Sequence, residues 1–139
     1  ELTSDIFKPL INKSISNNYP PGSTIKPLVA IAALESGINP NDQIFCNGRH
    51  EIDDKSLESG VKTFQCWKKE GHGHVNMSEA IKVSCDVYFY QLGLRLGLER
   101  WGEYAREFGL GSPTGIDIGD EHGGLVPDMP YYDAKKNRS

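Results

Sequence analysis

Between Pro20-Pro21-Gly22 and Gly37 the chain carries STIKPLVAIAALES, in which Ile25, Leu28, Val29, Ile31, Ala32, Ala33 and Leu34 leave no polar face before Glu35. A segment of this kind needs apolar surroundings on nearly every side. The two prolines forbid helix before Ser23, Ser23 is a favoured N-cap, and Pro27 is tolerated only because it still falls in the first turn. Gly37 and Pro40 then end the run. The expectation is a buried helix over 23–37 that organises the rest, entered through a serine and a lysine.

The remainder of the chain bounds what that helix can serve. Its 139 residues suit one domain or a large piece of one, and 15 Lys and Arg against 19 Asp and Glu give a net charge of -4. With a pI near 5.5 there is no basic patch for nucleic acid. No apolar run reaches the roughly 20 residues a bilayer span requires, and no basic n-region precedes an apolar h-region. A start at Glu1 and a polar end, YYDAKKNRS, without helix or strand pattern, read as a piece of something longer.

Along the chain, residues 1–22 read as an extended polar lead-in with a short apolar pattern in DIFKPLINKSI. Residues 38–75 are dense in turn residues, with two strand-like pieces, DQIF and VKTFQCW. That stretch is too long for an unorganised loop, so something other than a core is expected to order it. Residues 76–111 turn helical, with Ser78 as the expected N-cap and Leu92, Leu94, Leu96 and Leu98 further on, although Gly93 and Gly97 weaken the pattern. Residues 112–139 form a glycine-rich turn region with one short strand, TGIDI, and the polar end. No internal repeat or low-complexity tract is present.

Ser23 and Lys26, three apart at a helix start, share one face. A lysine held out of water loses affinity for its proton and can serve as base to a nearby hydroxyl, while the helix N-terminus favours a developing anion. Ser-x-x-Lys is therefore a sound activated nucleophile. Alone, the pattern is weak evidence, and an N-cap serine with a lysine snorkelling to solvent is the stronger reading of it; the buried helix and the PPG lead-in weigh against that. A second constellation, VSCDVYFYQ, sets Ser84 and Asp86 between two helical stretches, where polar side chains can point into a cleft. Its bland counterpart is a helix-joining turn with an N-cap aspartate.

Taken together, YPPGSTIKP, SEAIKVSCDVYFYQLGLRLG and FGLGSPTGIDI followed by GLVP resemble, in order and separation, the transpeptidase domain of class B penicillin-binding proteins, over about Asn12 to Pro127. Ser-Cys-Asp and the CWKKEGHGH stretch point to the elongation-specific members of rod-shaped bacteria. The resemblance implies an α+β fold of the penicillin-binding protein and serine β-lactamase type, of which this chain covers mainly the helical lobe. It implies that Ser23 attacks the D-Ala-D-Ala carbonyl of a peptidoglycan stem peptide, expels D-alanine and passes the acyl group to a neighbouring amine. Lys26 would take the Ser23 proton, Ser84 would relay protons, and Asp86 would hold Lys26 or the substrate amide. β-Lactams would acylate Ser23. It further implies an inner-membrane anchor outside this chain, a periplasmic face, a RodA-type glycan polymerase and the MreC scaffold as partners, and no organic cofactor. The family's third motif, Lys then Ser or Thr then Gly, does not occur: Lys62-Thr63 is followed by Phe64 and Lys55-Ser56 by Leu57. The segment by itself is therefore expected not to catalyse.

Three cysteines cannot all pair within one chain. Cys46, Cys66, His72 and Cys85 are spaced C-x19-C-x5-H-x12-C, and three thiolates with one imidazole make a structural zinc set that would order residues 38–75. The rival is a Cys46–Cys66 disulfide with Cys85 as a buried thiol, or three free thiols. Asp53, Asp54, His50 or His74 could replace one ligand, and His50, His74 and His122 otherwise read as surface residues. The resemblance adds that elongation-type relatives hold zinc here, at places matching His72 and Cys85. Trp67, Trp101, Tyr88, Phe89 and Tyr90 suggest either a carbohydrate surface or core, and core is the stronger reading. Competing functions are a D,D-carboxypeptidase or β-lactamase on the same serine, a non-catalytic β-lactam sensor, and a zinc-ordered interaction module with a chance Ser-x-x-Lys.

Overall fold

A computed structural model of the chain describes residues 12–53 and 59–136. Most of the DIFKPLINKSI pattern, the candidate ligand Asp54, and Lys55, Ser56 and Leu57 lie outside the described residues. The chain divides into two compact units, Gly22–Trp101 and Gly102–Ser139 with Glu1–Pro21.

In the first unit the apolar run does not form one helix from Ser23. A 3-10 turn, Gly22–Ile25, leads into helix α1, Lys26–Glu35, whose N-cap is Ile25 without a side-chain cap bond and whose first turn accommodates Pro27. Ser23 is thus inside the tight turn rather than at an N-cap, because Gly22 adopts φ 59° and starts the turn early. Burial is one-sided among the described residues. Lys26, Ala30, Ala32 and Ala33 are buried, whereas Ile31 and Leu34 are exposed.

Residues 38–75 hold four strands where the sequence suggested two. β1, Ile44–Cys46, pairs antiparallel with β4, Gly73–Val75, in register Cys46 to Gly73. β2, Arg49–Asp53, pairs antiparallel with β3, Val61–Gln65, in register Arg49 to Gln65. The RHEID and GHV pieces lack a strand signature of their own, being charged or too short, and take strand form from their partners. Both ribbons therefore end at the same place, next to Cys46, Cys66 and His72.

Helix α2, Met77–Lys82, is capped by Asn76, not Ser78: Asn76 Oδ1 accepts from Glu79 N–H at 3.0 Å and Glu79 Oε2 accepts from Asn76 N–H at 2.9 Å. This reciprocal pair satisfies two helix-terminal groups at once, which Ser78, two residues later and with Ile81 rather than an acid three residues ahead, cannot do. Helix α3, Asp86–Leu96, buries Val87, Tyr88, Phe89, Leu92 and Leu96 and ends where Gly97 takes φ 80°. Leu94 faces outward. The core joins Ala30 and Ala33 of α1 to Ile44, Val75, Met77, Ala80 and the buried face of α3.

Helix α4, Leu98–Glu107, starts in the first unit and ends in the second. In the second unit Arg106 donates to Gly102 O at 3.1 Å and pairs with Asp128, which also accepts from Tyr131 N–H at 3.0 Å at the start of helix α5, Met129–Lys136. The polar end is therefore helical, because Asp128 caps it and Pro130 sits in its first turn. TGIDI is not a strand. It has no ladder partner among the described residues, and Glu121 ties its start into a turn instead.

Candidate functional site

The end of α2 and the start of α3 meet at Ser84, one of two non-glycine residues among those described with positive φ, here 50°. A non-glycine residue in this region carries a cost of roughly 1–3 kcal/mol. What the strained turn achieves is convergence. Lys26 Nζ donates to Ser84 O at 2.9 Å, to Ser84 Oγ at 3.0 Å and to Asp86 Oδ1 at 2.6 Å. Lys26 is 8% exposed, and no other polar or charged residue among those described is buried to this degree. Its ammonium also lies 5.5 Å from the Phe89 ring centroid. Snorkelling to solvent is thus excluded for Lys26. Ser23 lies exposed in the 3-10 turn Gly22–Ile25 that leads into α1, three residues before Lys26, and the hydrogen bonds of Lys26 Nζ described here go to Ser84 and Asp86 rather than to Ser23.

Asp86 is shared. While Oδ1 takes the Lys26 proton donor, Oδ2 accepts from the backbone N–H of Trp67 at 3.0 Å. The N-cap of α3 is Cys85, whose Sγ accepts from Tyr88 N–H at 3.5 Å, and Asp86 is the first helical residue rather than the cap.

Directly behind this turn, one ligand atom from each of Cys46, Cys66, His72 and Cys85 lies within 4.8 Å of the others. Cys46 ends β1, Cys66 follows β3, His72 precedes β4 and Cys85 precedes α3, so four elements deliver one donor each. All three cysteines are free and buried, so the Cys46–Cys66 disulfide is not formed. His72 Nδ1 is 3.7 Å from Cys46 Sγ and 3.6 Å from Cys66 Sγ. Tetrahedral zinc with ordinary Zn–S and Zn–N bonds requires a sulfur-to-nitrogen edge of about 3.6 Å. The residues fit zinc. Asp53, His50 and His74 are not in the cluster: His50 is half-buried against Tyr90, with ring centroids 6.5 Å apart, and His74 is exposed beside Phe45.

The thiols differ in electrostatics. Burial raises the Cys66 pKa, but backbone N–H groups of Lys68, Val87 and Asp86 donate to it and bring it below the ordinary thiol value. Burial dominates at Cys85, which is pushed up to about 12 with the neighbouring sulfur of Cys46 adding to the effect. Burial also lowers the His72 pKa, helped by Lys68, favouring the neutral imidazole that a metal ligand must be. Two glycines that the sequence reading passed over allow the donors to close. A Cβ on Gly48, at φ 91°, would run into the Lys69 carbonyl, and one on Gly71, at φ 81°, into the Cys46 carbonyl. Their signal was visible as Cys-Asn-Gly and Glu-Gly-His beside the ligands.

Trp67 corrects the expectation of core. Tyr88 and Phe89 are buried, but Trp67 is 63% exposed on the loop between Cys66 and His72, with Nε1–H donating to Val83 O at 3.0 Å. It is not on a helix; its neighbours in CWKKEG were the available sign.

The model of the penicillin binding protein transpeptidase domain matches residues 2–137, and the chain belongs to that family. Within it, the chain is 37% identical over 138 residues to the peptidoglycan D,D-transpeptidase MrdA of Haemophilus influenzae, covering 99% of this chain and 20% of that protein. The MrdA of Acinetobacter baumannii is 40% identical over 133 residues, covering 94% and 19%. The structure of penicillin-binding protein 2 in complex with MreC from Helicobacter pylori superposes with a TM-score of 0.85 at 38% identity, covering 98% of this chain and 24% of that one. The chain therefore has the α+β transpeptidase fold, and it spans about a fifth of the length of the curated relatives it matches.

Proposed function

We propose that this chain supplies the nucleophile and proton-handling part of a peptidoglycan D,D-transpeptidase of the penicillin-binding protein 2 kind, acting in cell-wall elongation and rod-shape maintenance. The observation that carries the reading is the buried Lys26 amine held by Ser84 Oγ at 3.0 Å and Asp86 Oδ1 at 2.6 Å, on the helix that Ser23 leads into. Two motifs that are 58 residues apart in sequence thus meet at one nitrogen. A chance Ser-x-x-Lys has no reason to recruit such partners.

In this reading Ser23 Oγ attacks the carbonyl carbon of the penultimate D-alanine, and the terminal D-alanine leaves as its amine takes a proton. Lys26 accepts the Ser23 proton. Ser84 Oγ, hydrogen-bonded to Lys26 Nζ, passes a proton on to the leaving amine and later accepts one from the incoming amine. Asp86 keeps the Lys26 amine in place and is itself kept by Trp67 N–H. β-Lactams, whose ring amide imitates the scissile bond, acylate the same Ser23.

Zinc is the metal that this donor set suits, held by Cys46, Cys66, His72 and Cys85. When bound it supplies a structural cross-link among the two ribbons and the turn that presents Ser84 and Asp86. The partners we infer are a RodA-type glycan polymerase and an MreC scaffold at the periplasmic face of the inner membrane. The MreC complex of the Helicobacter pylori relative supports the second of these. Among the described residues no helix is long and apolar enough to cross a membrane.

The test is intact-mass spectrometry of the full-length protein with benzylpenicillin. A covalent adduct that disappears in Ser23→Ala supports the reading; a folded protein that forms no adduct removes it. Conversion of a stem pentapeptide donor to cross-linked dimer, against hydrolysed tetrapeptide, separates the transpeptidase from a carboxypeptidase.

A further inference from the structure

His72 has one ring nitrogen in the cysteine cluster and a second that is buried without a hydrogen-bond partner. Nδ1 faces the thiols, 3.7 Å from Cys46 Sγ and 3.6 Å from Cys66 Sγ, while Nε2 meets no acceptor among the described residues. An imidazole whose Nδ1 holds a metal has no choice of tautomer. Its Nε2 carries the proton and is an obligatory donor. His50 Nε2 is likewise unpartnered, but His50 lies outside the cluster and can place its proton on Nδ1 instead. Metal-binding histidines almost always donate their second N–H to an outer partner, which fixes the ring and its basicity. For His72 that partner is neither a carboxylate nor a carbonyl among the described residues.

What stands beside His72 is the Trp67 ring, with centroids 5.2 Å apart and the two planes inclined by 64°, edge to face. Such a pair aims a hydrogen of one ring at the π cloud of the other, and a π face accepts an N–H as a weak hydrogen bond. Which ring donates follows from what each has left to give. The indole N–H is already engaged by Val83 O at 3.0 Å, and that bond together with the one from Trp67 backbone N–H to Asp86 Oδ2 at 3.0 Å holds the ring in place. His72 is the ring with a free polar hydrogen. We propose that Trp67 is a positioning residue of the metal centre, whose indole face accepts the His72 Nε2–H and so keeps Nδ1 aimed at zinc. The inference rests on the zinc reading proposed above. One residue then serves two groups, with its ring on His72 and its backbone N–H on the carboxylate that holds Lys26.

The test measures zinc affinity of the full-length protein by competition with a chelator. Trp67→Leu and Trp67→Phe both lose the Nε1–H donor to Val83, and only the second keeps an aromatic face, so the difference between them isolates the acceptor. In Trp67→Leu the affinity should fall about tenfold, the lower end for losing the outer partner of a metal ligand. In Trp67→Phe it should stay within about threefold of wild type, because the π face remains. Histidine-selective isotope labelling gives a reading that needs no change at Trp67. In the zinc-loaded wild type the His72 Nε2 proton, assigned by its loss in His72→Gln, should exchange slowly with water and resonate upfield, shielded by the indole ring. Equal loss of affinity in both Trp67 variants would show that only the bond to Val83 matters. Unchanged affinity in both would show that the His72 N–H is satisfied elsewhere, by water for instance. Either result overturns the proposal, as does a His72 proton without the upfield shift. A wild-type protein that binds no zinc would remove the metal reading and this inference with it.

Discussion

Lys26 Nζ and Asp86 Oδ1 lie 2.6 Å apart, with 10% and 22% of their side chains exposed, and the second oxygen of the same carboxylate binds the loop that follows Cys66. A pair so far removed from water is costly to break from one side, since the remaining charge is left without a partner. Asp86 is at once the support of the lysine and its connection to the cysteine cluster.

Replacing Asp86 by alanine removes both functions. Acylation by benzylpenicillin is expected to slow by roughly a hundredfold, the lower range of a general-base contribution. Asp86→Asn retains an acceptor for one of the two donors but not both, and a loss of about tenfold is expected. Stopped-flow acylation kinetics on both variants and the wild type measure this; equal rates for all three would show that the pair does not support the reaction.

The glycines of the metal loops give a stability test. Gly71→Ala forces a Cβ into the Cys46 carbonyl at a backbone angle that L side chains rarely adopt. A cost of at least about 2 kcal/mol is expected from the left-handed conformation and the clash together. Gly93→Ala is the control, since nothing lies within 4 Å of its Cβ position and the residue is mid-helix. That variant should gain about 0.5–1 kcal/mol. Urea unfolding of both separates the two signs.

What could be read from sequence alone follows from where its signals are local. The meeting of Lys26 with Ser84 and Asp86 was legible because two short motifs each carry their polar side chains within four residues. The cysteine set was legible because thiols are rare in this chain and cannot all pair. The boundaries were not. The apolar run suggested helix from Ser23, but a left-handed Gly22 begins a tighter turn. RHEID is charged on most positions and becomes a strand only through its pairing with Val61–Gln65, information that lies in the partner. The helix at the polar end depends on Asp128, whose capping role is invisible until Arg106 and α5 are seen around it. Asn76 took the cap from Ser78 because only Asn76 has Glu79 three residues ahead.

Metal content is a direct check on the donor cluster. The purified protein should contain about one zinc per chain, since three thiols and an imidazole complete a four-coordinate structural site. Cys46→Ser and Cys85→Ser should each lose most of that zinc by plasma mass spectrometry and melt at lower temperature. Binding that exists only in the folded state contributes directly to folding. Chelation of the wild type should lower its melting temperature in the same direction. Full stability after complete removal of metal would leave the ribbons ordered by their own packing.

The second unit offers a pH test independent of catalysis. Glu121 accepts from Thr114 Oγ1 at 2.7 Å, Thr114 N–H at 2.7 Å and Gly115 N–H at 3.1 Å. Those donors, the Thr114 side chain first and its N–H next, hold the Glu121 pKa below its ordinary value of 4.5. The sign follows from which state binds the proton more tightly. The unfolded chain protonates first as pH falls, so the clasp is fully stabilising above about pH 4.5 and is lost as pH passes down through the lowered folded value. At neutral pH the loop over 112–121 should therefore be closed, with slow amide exchange at Thr114 and Gly115. Glu121→Gln keeps the shape but removes the charge-assisted bonds, so both amides should exchange faster at pH 7. In the wild type the same change should appear only on acidification. Hydrogen exchange followed by NMR at those two amides decides it: protection that ignores both the substitution and the acid would mean that the turn holds itself, through its glycines and Pro113, without the carboxylate.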